Sequence, residues 1–119
     1  MAFKNQTEIR NVYGITEAQK SHIKAFMQGA IYGWIRDRPR QVFAVRDLVG
    51  GPNWKWQGTP LLALFEKHVA SGKDDETAMK RAAVDLGWLV KAVLSVDKRT
   101  FEETDAGLAC GYSWVGNEE

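Results

Sequence analysis

The sequence predicts an α+β domain that is mainly helical, with a three-helix core, a short strand and a C-terminal β-hairpin. Three observations predict it. Two long stretches repeat apolar residues every three or four positions, the helical period. Residues 100–115 change to short β-prone runs on either side of a glycine turn. The three prolines, Pro39, Pro52 and Pro60, stand at the joints between elements.

Residues 1–15 are polar with scattered apolar positions and read as an N-terminal arm that packs on the body. A single globular domain is expected over 16–116, with 117–119 as a tail. "TEAQ" at 16–19 has capping-box form, with Thr16 as N-cap and Gln19 three positions on. Ile23, Phe26, Met27, Ala30, Ile31, Trp34 and Ile35 then form one apolar stripe, which predicts a helix over 17–37. Pro39 stops it. "QVFAV" at 41–45 is β-branched and aromatic and reads as a strand. "RDLVGG" reads as a single helical turn ended by glycine.

Thr59 as N-cap and Pro60 at the first helical position start a second helix over 60–70. "SGKDD" breaks it, and Asp74 or Asp75 caps a third helix over 76–97. Its stripe is Met79, Ala82, Ala83, Leu86, Leu89, Val90, Val93 and Leu94. Trp88 falls opposite that stripe at 100° per residue, so this helix carries apolar matter on two sides. "TFEET" and "ACGYSWV" flank "DAGL", a hairpin in which Gly107 takes the unusual turn angles.

At 119 residues and 13.4 kDa the chain suits one domain with a real core, without disulfides or metals. Cys110 is the only cysteine, so no internal disulfide forms. It has no basic neighbour and reads as a buried, inert thiol. "MAFKNQTEIR" lacks the apolar run of a secretory signal, and no apolar stretch is long enough to span a bilayer. The cytosol is the expected compartment, with no membrane partner.

His22 and His68 have no histidine, cysteine or carboxylate at metal-ligand spacing. "DDE" at 74–76 suits a helix start, where carboxylates favour the dipole. "GTP" at 58–60 is a turn, lacking the glycine run and lysine of a phosphate loop. No metal, cofactor or catalytic constellation is therefore expected.

Charge is uneven. Residues 1–49 carry eight Lys/Arg against four Asp/Glu, 50–101 eight against six, and 102–119 none against five. Arg36, Arg38, Arg40 and Arg46 fall within eleven residues at a helix-to-strand corner. They form either a solvated corner or an anion or nucleic-acid contact. "GGPNWKWQGTP" places Trp54 and Trp56 around Lys55. In an extended stretch the two rings share one side, where they either plug the core or meet a partner. Trp54, Lys55, Trp56 and Trp88 are the candidate partner-binding set.

The order of helix, strand, two helices and hairpin over about 17–115 resembles the winged helix-turn-helix architecture. "VFAVRDLVG" is similar to the way such domains pass from their first strand into the next helix. The resemblance implies that helix 76–97 faces a groove of duplex DNA. Lys80, Arg81 and Lys91 would then be contacts, with Lys98 and Arg99 beside the wing. Such residues neutralise phosphates or meet guanine edges. Asp85 lies among them, and the wing carries Glu102, Glu103 and Asp105.

Two function classes follow. One is a small non-enzymatic, winged-helix-like nucleic-acid-binding protein. The other is an interaction module or oligomeric subunit, homodimer included, anchored by tryptophans. Element order and the arginine corner favour the first; the acidic hairpin favours the second.

Overall fold

A computed structural model describes residues 8–38, 41–48, 56–97, 99–106 and 109–117. Helix α1 runs Glu17–Asp37. Thr16 Oγ1 accepts from the Gln19 N–H at 3.0 Å, and the Gln19 side chain accepts from the Thr16 N–H at 2.8 Å. That closed box satisfies two of the donors a helix start leaves orphaned. Ile23, Met27, Ile31 and Ile35 are buried, whereas Phe26, expected in the same stripe, lies at its edge and is 39% exposed.

The strand expected at 41–45 is reduced to one residue. Phe43 bridges Tyr112 antiparallel, with both backbone bonds at 2.7 Å. Pairing ends there because local bonds compete with it. The Ala44 N–H donates to Asp47 Oδ2 at 2.8 Å, and the Asp47 N–H to the Ala44 carbonyl at 3.0 Å. These start the four-residue helix α2, Val45–Leu48.

Helix α3 is Leu62–Ala70, beginning two residues later than the sequence predicts. Thr59 is occupied by the preceding turn. Its hydroxyl donates to the Trp56 carbonyl at 2.8 Å and accepts from the Leu61 N–H at 3.2 Å. Gly72, at φ +99°, turns the chain after α3, a conformation that side-chain-bearing residues rarely adopt. Asp74 then caps α4, Asp75–Ser95, by accepting from the Thr77 N–H at 2.7 Å. That bond holds the Asp74 carboxyl below its ordinary range.

Strand β1, Arg99–Ala106, pairs antiparallel with β2, Ala109–Asn117, with an irregularity between Thr100 and Phe101. The expected hairpin is present, while Gly107 lies outside the described residues. Tyr112 stands opposite Glu103 on one side and Phe43 on the other, so β2 lies between β1 and the Phe43 bridge. The molecule is mainly helical with a two-stranded antiparallel hairpin, as the sequence predicts. The core forms where α1, α3 and α4 meet Phe43, Phe101 and Tyr112.

The arm is tied to three helices by successive residues. Val12 is 3% exposed in the core. Asn11 Oδ1 accepts from the buried amine of Lys20 on α1 at 2.9 Å. The Tyr13 carbonyl accepts from Lys67 on α3, and Arg10 lies over Trp88 of α4.

Candidate nucleic-acid interface

Helix α4 buries Ala78, Ala82, Leu86, Leu89, Val90, Val93 and Leu94. At 100° per residue that fixes what faces water. Lys80, Arg81, Ala83 and Val84 are all exposed, Val84 by 60%. Lys80 pairs with Glu76 one turn back at 3.3 Å, both largely in solvent. Such a pair contributes about 0–1 kcal/mol, so the Lys80 amine is held only weakly. Gly87 extends the face, and beyond the local helix backbone a methyl group there would meet nothing within 4 Å among the described residues.

Two groups expected near this face, Lys91 and Asp85, are already engaged. Lys91 has a side chain only 12% exposed; it pairs with Glu103 of β1 at 3.1 Å and lies 5.3 Å from the Trp88 ring. Its role here is to join α4 to the hairpin and to neutralise one of the hairpin's acids. Asp85 turns away toward α3. Its Oδ2 accepts from Lys67 Nζ at 2.8 Å and from His68 Nε2 at 2.7 Å. A carboxylate only accepts, so His68 carries its proton on Nε2. Asp85 therefore presents no free negative charge beside Lys80 and Arg81.

Trp88 is half-buried and packs on the core cluster. Its outer side is taken up by the arm, with the Arg10 guanidinium 5.0 Å from the ring. Trp56 is buried to 2% exposure in the core. As a partner-binding residue it is corrected to a core residue: the turn before α3 aims its ring inward. Trp54 and Lys55 lie outside the described residues.

The arginine corner belongs to another element. Arg36 is exposed in the last turn of α1. Arg38 lies 4.2 Å over the Trp34 ring, which itself packs on Phe43 at 6.3 Å between centroids. Arg40 and Lys98 lie outside the described residues. Arg46 and Arg99 are placed by their backbones, on α2 and at the start of β1.

Sequence reasoning missed two features. Arg10 was assigned to an arm without further role, because nothing local in the sequence pairs it with Trp88, 78 positions away. The Lys67–Asp85–His68 cluster was missed because it joins neighbouring helices rather than one motif. Among the described residues no group of three or more His, Cys, Asp and Glu could hold a metal ion, and no helix is long and apolar enough to cross a membrane. No family model, curated protein or solved structure matches the chain.

Proposed function

We propose that the chain binds duplex nucleic acid through the solvent side of α4, as a non-catalytic winged-helix-like module. One observation carries this reading. Helices α3 and α4 are joined by the short turn 71–74, the hairpin follows α4, and the Phe43–Tyr112 bridge ties the earlier strand position to that hairpin. Helix-turn-helix motifs join two packed helices by such a short, often glycine-bearing turn, which supports the reading. The outer face of its second helix offers Lys80 and Arg81. Asp75 and Glu76 in the first turn of α4 repel phosphate. The helix therefore meets the duplex by its middle turns rather than its N-terminal tip.

Titration against a mixed-sequence DNA duplex at two salt concentrations tests this. Each phosphate neutralised gives a log–log salt slope of about −0.9. Lys80→Ala with Arg81→Ala is expected to weaken binding and flatten the slope by roughly two units. Absence of binding at low salt overturns the reading, because even the non-specific electrostatic contribution is then missing.

The outward side of α1 favours a second reading, a self-associating interaction module. Ala25, Gly29 and Gly33 are exposed one turn apart, beside Phe26. Sedimentation of the wild type against Gly29→Arg distinguishes it. A dimer that the variant loses supports this reading, and a wild-type monomer removes it.

A further inference from the structure

We infer that Arg10 is a further phosphate-binding residue, delivered to the α4 face by the N-terminal arm and oriented by Trp88. The inference rests on the proposed duplex-binding reading of α4. Trp88 stands seven residues beyond Arg81 and four beyond Val84. Both spacings return to the same side of a helix, and seven residues advance about 10 Å along it. The Arg10 guanidinium lies 5.0 Å from the Trp88 ring centroid. A guanidinium held against an aromatic face keeps in-plane N–H groups for a second partner, and phosphate accepts such donors in pairs.

The backbone below Arg10 is fixed. Asn11 bonds Lys20 at 2.9 Å, Val12 is buried, and the Tyr13 carbonyl accepts from Lys67. Two residues before Arg10, Glu8 is its ion-pair partner at 3.3 Å, with both side chains more than 60% exposed. That surface pair yields readily to a phosphate. Lys91, on the other hand, stays with Glu103. The cations presented are therefore Lys80 and Arg81 from the helix and Arg10 from the arm.

The experiment titrates the same mixed-sequence duplex with the full chain, Arg10→Ala, Arg10→Lys, Trp88→Leu and the Arg10→Ala/Trp88→Leu double variant. Urea midpoints of all five identify any change in folding. Losing one phosphate contact lowers the slope by about 0.9, so the affinity lost between about 50 and 200 mM salt becomes about 3.5-fold smaller. Arg10→Ala is expected to show that change with its urea midpoint kept. Arg10→Lys is expected to retain the slope while losing affinity, since a point charge remains without the planar fork of donors. In the Trp88→Leu background, Arg10→Ala is expected to change little, the sign of coupling between the two residues. A wild-type slope in Arg10→Ala overturns the inference while leaving Lys80 and Arg81 in place. Lost affinity with an unchanged slope and a lowered urea midpoint overturns it too, by assigning the arm to folding alone. Absence of duplex binding by the wild type overturns the α4 reading itself, and Arg10 with it.

Discussion

Trp56 is the residue on which composition and geometry meet most directly. It stands in a stretch rich in glycine and proline, yet it is almost fully buried. The reason is the turn that follows it. The Thr59 hydroxyl and N–H both donate to the Trp56 carbonyl, at 2.8 and 3.1 Å, which fixes the backbone while the ring enters the core. Trp56→Ala is expected to destabilise the fold by about 3–5 kcal/mol, as truncation of a core aromatic does. A shift in the urea midpoint at constant m-value measures it, and an unchanged midpoint would contradict the burial. The sequence left the choice between core and surface open because alternation says only that Trp54 and Trp56 share a side, not which side faces inward. Trp88 shows the complementary limit. Helical periodicity placed it correctly opposite the main stripe, but its cover, Arg10, comes from a segment with no period at all.

At the scale of elements, what was legible had a local cause. The Thr16 box and the Asp74 cap bound α1 and α4 through bonds between residues three apart, so their starts were readable within a residue. The hairpin was readable from its change of period, and β1 and β2 pair as that change implies. The strand at 41–45 was over-read. Its residues have β propensity, but Asp47 captures the Ala44 N–H and converts the rest into α2. Glycines within α1 pose a different question. Among the described residues, nothing beyond the local helix backbone lies within 4 Å of where a Cβ on Gly29 or Gly33 would stand, so packing among those residues does not require glycine there. Alanine in a helix interior is favoured over glycine by about 0.8–1.0 kcal/mol. Gly29→Ala and Gly33→Ala are each expected to stabilise the monomer by that amount, read as a rise in urea midpoint. Destabilisation instead would mean that something beyond the described residues occupies that side of α1.

At the scale of the whole molecule, charge decides how the proposed duplex partner can approach. Basic residues dominate up to Arg99, and the last 18 residues carry five acids and no base. Lys91 neutralises Glu103 at 3.1 Å, joining the basic helix to the acidic hairpin. Glu76, in the first turn of α4, is exposed and stands one turn before Lys80, 3.3 Å from its amine. A duplex laid along α4 as proposed brings phosphate toward this carboxylate, where it opposes Lys80 and Arg81. Two unit charges about 8 Å apart in water interact by about 0.5 kcal/mol, a factor of roughly two in affinity. Glu76→Gln, which keeps the side chain's shape and its ability to hydrogen bond, is therefore expected to tighten duplex binding roughly twofold at low salt. The gain should fade near 1 M salt, where the screening length shrinks to about 3 Å. A titration at both salt concentrations, with the urea midpoint as control, reads this directly. No gain at low salt would mean that the duplex stays clear of the first turn of α4. A gain that survives high salt would trace to an altered start of α4, because a Coulombic repulsion cannot persist across so short a screening length.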